Sequence, residues 1–301
     1  MITCNPATMT SLQLQKLLHG TIMPRPVALA STIDKLGRPN LSPFSFYNVF
    51  GTNPGVLVFS PVRRRSDHSF KDTCLNVKEI PEVVINAVST KMVEQVNLAG
   101  CEFDRGVNEF LKAGLTPLPS ELVKPFRVME SPVQFECSVK QVIETGKRGG
   151  AGNLVICEVL LVHVSASVLD SHGQPDPNKL DLVARMGGDY YIRASGKALF
   201  KVGRAKDKFC IGVDALPEEV RMSSVLTGND LGRLGGCEKL PEAPEVLEVI
   251  KSDIFNKWIA RSESKREMFT EIVHNAAREL IGRNEVYEAL KMLVAAARVE
   301  L

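Results

Sequence analysis

The sequence predicts a mainly β, barrel-like domain followed by an α-helical C-terminal extension. Short apolar runs separated by glycine- and proline-bearing turns fill the first two thirds of the chain, the pattern of many short strands. Two long strand-like runs, "VQFECSVKQVIET" and "LVICEVLLVHVSASV", flank a glycine-rich "GKRGGAG" that reads as a hairpin connection. Past residue 205 the apolar residues fall at three- and four-residue spacing with charges opposite, which is helical. The boundary is therefore drawn between a domain of residues 1–205 and an extension of residues 206–301. A length of 301 residues suits one large or two ordinary domains.

The elements follow in order. "VALASTI" (27–33) is β-rich and ends in the polar turn "DKLGRPN". "LSPFSFYNVF" (41–50) alternates apolar and polar residues with period two. "GVLVFS" (55–60) is a short buried strand after the Asn53-Pro54 turn signal. From Ser69 the pattern becomes helical, with Phe70, Cys74 and Val77 on one face and Asp72 in the first turn. "EVVINAV" (82–88) returns to strand, and "TKMVEQVNLAG" and "GVNEFLKAGL" read as short helices. In the extension, "PEVLEVIKSDIFNKWIA", "SKREMFTEIVHNAARELIG" and "NEVYEALKMLVAAARVEL" are amphipathic helices with Phe255, Trp258 and Phe269 as core. Their apolar faces need a partner, either on the barrel or across to a second subunit.

Bulk properties exclude several function classes. Hydrophobic residues are 44% and charged residues 24% of the chain, the values of a globular protein. A net charge of +2 is too balanced for gripping nucleic acid backbones. The N-terminus lacks a basic start followed by an apolar core, and no segment approaches the length of a membrane span. Seven scattered cysteines, none at C-x-x-C spacing, read as reduced, mostly buried thiols of a cytoplasmic protein with no metal site. G-x-G-x-x-G, G-x-x-x-x-G-K-[ST], H-E-x-x-H and G-x-S-x-G motifs are all missing. The sequence thus offers no catalytic nucleophile or acid–base set.

The segment from Ser42 to Thr73 remains. Ser45, Tyr47 and Asn48 stand beside Phe44 and Phe46, so a strand there offers polar groups to the edge of a flat ring. Ser60 closes the next strand, and "SPVRRRSDHSFKDT" then crowds Arg63, Arg64, Arg65, Ser69, Lys71 and Thr73 before a helix start. Hydroxyls, cations and free helical N–H groups favour a phosphate. The alternative is a capped helix after a polar loop, with the arginines solvated.

The run "MPRPVALASTIDKLGRPNLSPFSFYNVFGTNPGVLVFSP", with "KDTCLNVKE", "VVINAVS", "AGLTPLPSELVKPFRVMESPVQFEC" and "ARMGGDYYIRAS", resembles the flavin reductase-like FMN-binding split-barrel family over residues 20 to 200. The resemblance implies a six-stranded antiparallel split β-barrel and a homodimer with FMN near the subunit interface. It implies that Pro43, Ser45, Phe46 and Asn48 line the isoalloxazine, and that Ser60, Lys71 and Thr73 reach the phosphate. One of Arg63, Arg64 and Arg65 assists, Arg65 being the choice made here. Flavin reductases that serve monooxygenases carry a "GDHH"-like motif where this chain has Gly187, Gly188, Asp189, Tyr190 and Tyr191. Tyr190 or Tyr191 is expected to cover the ring, Tyr190 first, the alternative being that both tyrosines are half-buried strand residues.

The resemblance further implies a cytoplasmic FMN-dependent oxidoreductase of the NAD(P)H:flavin reductase type, with NADH or NADPH as donor. A monooxygenase or other electron acceptor is the implied partner. A flavin-dependent oxidase or oxygenase of a small molecule, and a non-catalytic FMN-binding sensor, are the rival readings.

Overall fold

The computed structural model describes residues 1–203 and 209–299. The chain divides into two units, Met1–Phe200 and Lys201–Leu301. The boundary expected after residue 205 falls outside the described residues. The first unit begins with α1 (Ser11–Thr21), β1 (Arg25–Pro26), β2 (Ala28–Ile33), β3 (Pro39–Phe44), β4 (Tyr47–Thr52) and β5 (Gly55–Phe59). Then come α2 (Asp72–Glu79), β6 (Glu82–Ala87), α3 (Val93–Ala99), α4 (Glu109–Ala113), β7 (Pro117–Leu118) and β8 (Arg127–Val128). The unit closes with β9 (Val133–Glu144), β10 (Asn153–Val164), α5 (Pro177–Leu180), β11 (Val183–Arg185) and β12 (Tyr191–Arg193).

The main sheet is antiparallel throughout, in the order β3-β2-β6-β9-β10-β5-β4. Its two edge strands, β3 and β4, are joined by Ser45 and Phe46 alone. Three residue steps reach at most about 11 Å, whereas seven flat strands would separate those edges by roughly 29 Å. The sheet must therefore roll up, and it forms a split barrel. The expected strand count of six becomes seven, because the single strand expected over 41–50 breaks at Ser45 and its second half becomes β4.

Alternation along the strands sorts two cores. Ala28, Ala30, Phe44, Leu57, Phe59, Ile85, Cys137, Val155 and Cys157 fill the barrel. Phe44 and Phe59 stack there with ring centroids 5.5 Å apart. Leu29 and Leu41 point the other way and meet Met92, Val96 and Phe110 from the helical layer. Every residue of β2 is buried, which explains why "VALASTI" reads as a continuous rather than an alternating run. Phe59 is fully buried, so Phe59→Ala should cost about 3–5 kcal/mol.

The second unit is helical: α6 (Glu218–Arg221), α7 (Gly228–Gly235), α8 (Ala243–Ile250), α9 (Asp253–Arg261), α10 (Arg266–Gly282) and α11 (Val286–Arg298). Phe255, Phe269, Leu290 and Leu293 are buried in a core of its own, with Trp258 packed against it. Phe255 meets Phe269 edge to face at 5.4 Å. The amphipathic faces thus cover one another. Ser223 and His274, joined Oγ to Nδ1 at 2.7 Å, tie α10 to the segment after α6.

Candidate functional site

The helix expected from Ser69 begins at Asp72, with Lys71 as N-cap residue in extended backbone. The delay has a local cause: the Asp67 carboxylate accepts the Ser69 N–H at 3.0 Å and its hydroxyl at 2.7 Å, holding Ser69 in a turn. No side chain caps α2; the Cys74 N–H turns back to the Lys71 carbonyl at 2.9 Å, which leaves the Asp72 and Thr73 N–H groups without an acceptor inside the helix. Lys71 lies where two spaces meet. One is a cavity of about 340 Å³ lined by His19, Arg25, Pro43, Ser45, Asn97, Arg185 and Tyr191, among others. The other is a recess of about 30 Å³ bordered by Asn40, Arg64, Asp72 and Thr73.

The larger cavity is electropositive. Among the described residues no aspartate or glutamate lines it. Arg25 is buried at 6% exposure and caps the C-terminus of α1. Its Nη1 donates to the His19 and Ile22 carbonyls at 2.8 and 2.6 Å, and its Nη2 to the Met186 carbonyl at 3.1 Å. A cation at a helix C-terminus is favourable. The Arg25 Nε and the His19 Nε2 are buried without a hydrogen-bond partner. Burial, reinforced by the charges of Arg25, Arg185 and Arg65, holds the His19 imidazole below its ordinary pKa, so it is neutral at pH 7. Arg185 donates to the Tyr191 hydroxyl at 2.8 Å and to the Gly188 carbonyl at 3.1 Å.

Beneath the recess lies a buried polar network. The Thr73 hydroxyl donates to Asn40 Oδ1 at 2.8 Å, and Asn40 Nδ2 donates to Glu109 Oε1 at 2.9 Å. The Leu41 N–H donates to Glu109 Oε2 at 3.0 Å, and the Thr32 hydroxyl to Asn40 Oδ1 at 3.3 Å. Burial pushes the Glu109 carboxyl above its ordinary value against the pull of these hydrogen bonds, and Asp72 adds to the rise.

Of the residues expected at the site, Pro43, Ser45 and Lys71 come together around the cavity. Thr73 borders the recess, but its hydroxyl proton goes to Asn40. Ser60 borders neither space: its Oγ accepts the Asn153 N–H at 3.0 Å, and its own N–H donates to Phe46 O at 2.9 Å. Phe46 packs edge-on against His19 at 5.2 Å. Asn48 is exposed on β4, its Oδ1 held by the Val49 N–H at 2.8 Å. Tyr190 is 77% exposed, and Tyr191 takes the place at the cavity instead.

The three arginines separate. Arg63 lies on Phe70 at 3.8 Å and pairs with Glu144 at 2.8 Å. Arg65 donates to the Gln15 amide oxygen on α1. Arg64 alone borders the recess, bonded to the Phe70 carbonyl and 3.6 Å from Asp72. The "GKRGGAG" connection holds this loop: Gly150 N–H donates to Arg63 O, and Arg63 N–H to Ala151 O. A Cβ at Gly149 would come within 2.7 Å of the Arg65 Cα, so glycine is required there.

The sequence singled out none of His19, Arg25 and Arg185, and of the two tyrosines offered for the ring it is Tyr191 that lines the cavity. Arg25 and Arg185 both stand in segments quoted for the family resemblance, and Thr10-x-x-Gln13 marks α1 as a capping box. Only Cys74, Cys137 and Cys157 of the seven cysteines are buried, and burial pushes the Cys137 thiol up to about 12 and Cys74 to about 11. They are neutral thiols, not nucleophiles. His163 is structural: its Nε2 meets the buried Glu136 at 2.7 Å. Among the described residues no cluster of three or more histidine, cysteine or acidic side chains could hold a metal ion, and no helix is long and apolar enough to cross a membrane.

The first unit resembles known proteins along most of its length. An uncharacterized protein of Aquifex aeolicus is 40% identical over 189 residues, covering 63% of this chain and 94% of that protein. Nitrilotriacetate monooxygenase component B from Bacillus cereus superposes with a TM-score of 0.63 at 28% identity, over 67% of this chain and 98% of that one. A 2-nitrobenzoate 2-nitroreductase from Pseudomonas fluorescens superposes with a TM-score of 0.59 at 25% identity, over 67% and 96%. The flavin reductase like domain model matches residues 19–177, so this chain belongs to the flavin reductase like domain family.

Proposed function

We propose that the chain binds FMN and acts as an NAD(P)H:flavin reductase-type oxidoreductase, with a separate monooxygenase or other electron acceptor as partner. The observation that carries this reading is the meeting of an electropositive cavity and an uncapped helix N-terminus at Lys71. The fit is chemical. Lys71 forms no ion pair among the described residues, so its charge, with the Asp72 and Thr73 N–H groups that open α2, is available to a phosphate. Pro43, Ser45 and Tyr191 supply flat and polar walls for a ring. The Asp72 carboxylate, which would oppose a phosphate, is offset by Arg64 and by Arg105 at 4.0 Å.

FMN, when bound, supplies the hydride chemistry, and the chain's task is to hold, orient and shield it. That division agrees with a site built from cations and backbone donors and with neutral, buried thiols. The monooxygenase partner follows the name of the Bacillus cereus structure, component B of such a system.

In this reading the protein is a cytoplasmic homodimer. Val49 and Phe50 on β4, and Leu160, Val162 and Val164 on β10, are exposed apolar residues. Beside them an apolar cavity of about 360 Å³ is lined by Phe135, Val162 and Val164. A second copy is the commonest cover for such a face.

The test is the visible spectrum of the FMN-loaded protein during anaerobic addition of NADH and of NADPH. Bleaching by one donor within minutes is expected. Stoichiometric FMN that neither donor bleaches would overturn the reductase assignment.

A further inference from the structure

Arg25 and Arg185 are Cα partners in the antiparallel pairing of β1 with β11. Like charges placed opposite each other in a sheet repel. Both line the same cavity, and among the described residues neither has a carboxylate within 4.0 Å. Glu94 and Asp189 border a neighbouring cavity that shares Arg185 and Tyr191, but form no ion pair with Arg185. Lys71 lies on the same cavity without an acidic counterpart.

The residues that line this cavity also hold unpartnered polar atoms. Arg25 is 6% exposed, and its buried Nε has no partner. The His19 Nε2 is likewise buried and unpartnered. Because the Tyr191 hydroxyl accepts from Arg185 Nη1, its own proton is free to be donated. A buried donor left without an acceptor is costly, and an arginine pair in direct register sets two guanidinium charges side by side with carbonyl and hydroxyl oxygens but no carboxylate as partners. One oxyanion between them relieves both.

We propose that Arg25, Arg185, His19 and Tyr191 form an oxyanion subsite that seats the carboxylate or phosphate of a second, organic substrate. The proposal rests on the reading of this cavity as a flavin site and adds to it the chemical class of the molecule that meets the flavin. In this assignment the FMN phosphate goes to Lys71 and the helix start beside it, and the second oxyanion goes to the arginine pair of the same cavity. Arginine forks suit both carboxylate and phosphate, so the acidic group is defined by its oxygens.

The experiment titrates nicotinate, phenyl phosphate and nicotinamide into the FMN-loaded full chain at constant ionic strength, following the visible flavin band. At least one of the two anions should bind about tenfold or more tightly than neutral nicotinamide. Tighter nicotinate identifies a carboxylated substrate, and tighter phenyl phosphate a phosphorylated one. Arg185→Gln should remove about tenfold of anion affinity while leaving nicotinamide affinity and the melting temperature little changed, and Arg185→Lys should restore part of it. Arg25 is buried and its variant risks misfolding, so the Arg185 pair decides.

Nicotinamide binding as tightly as both anions would overturn the proposal. So would an Arg185→Gln change that weakens FMN but not riboflavin, since that would make the subsite the cofactor's own phosphate position. Should the chain take up no FMN, the flavin reading fails by itself. The same three ligands, titrated calorimetrically into the cofactor-free chain, then still decide the subsite by presence or loss of the anion preference.

Discussion

Replacing Lys71 with alanine should weaken FMN far more than riboflavin. Lys71 is partly buried, sits as N-cap of α2 and borders both the larger cavity and the recess. Its ammonium carries no ion pair among the described residues, so a phosphate would not have to compete for it. A charge-assisted contact in such a partly desolvated place is worth about 1.5–3 kcal/mol, a ten- to roughly hundredfold change in affinity. The first-turn N–H groups of α2 survive the substitution, which keeps the loss inside that range. Riboflavin lacks the phosphate and shares every ring contact, so the ratio of the two affinities isolates the phosphate. Quenching of flavin fluorescence on binding reads both. Equal weakening of FMN and riboflavin would refute the argument, because Lys71 would then support the ring or the fold.

Thr73→Val should lower stability by about 1–2 kcal/mol in urea unfolding while weakening FMN and riboflavin equally, since the hydroxyl serves Asn40; a selective loss of FMN would contradict this. Burial raises the Glu109 carboxyl, so between the unfolded value of about 4.3 and its higher folded value the folded chain holds a proton that the unfolded chain has released. The stability contributed by Glu109 therefore falls as pH rises through that window. Wild type minus Glu109→Gln should decline with pH from about 4 upward, and a rise would be contrary. Residues 201–301 produced alone should melt cooperatively by circular dichroism, because Phe255, Phe269 and Leu290 are already buried within that unit. A non-cooperative melt would mean that the helices need the barrel.

The barrel was legible because its strands carry their own periodicity and turn signals, and the extension because its helices do. Harder to read was everything set by register. Tyr190 closes the turn before β12, its N–H bonded to the Gly187 carbonyl, and Tyr191 opens the strand; no periodic signal runs through a strand of three residues. Arg25 and Arg185 face each other only through the pairing of strands two and three residues long, far apart in sequence. Thr73 was placed at a phosphate because hydroxyls at a helix start suit one. The polar partners that claim it, Asn40 and through it Glu109, come from β3 and α4. The loop arginines read as one cluster in sequence, yet the "GKRGGAG" hairpin and α1 draw Arg63 and Arg65 aside. Ser60 was read at a strand end facing the site; the sequence does not show that its Oγ accepts the N–H at the start of β10.

The central claim is that this chain holds FMN by its phosphate. Calorimetric titration of the purified, flavin-free protein with FMN, and separately with riboflavin, tests it most directly. The account predicts one FMN per chain, a red-shifted and resolved visible band on binding, and riboflavin weaker by about tenfold or more. Riboflavin and FMN binding with the same affinity, or no saturable FMN binding, would contradict it.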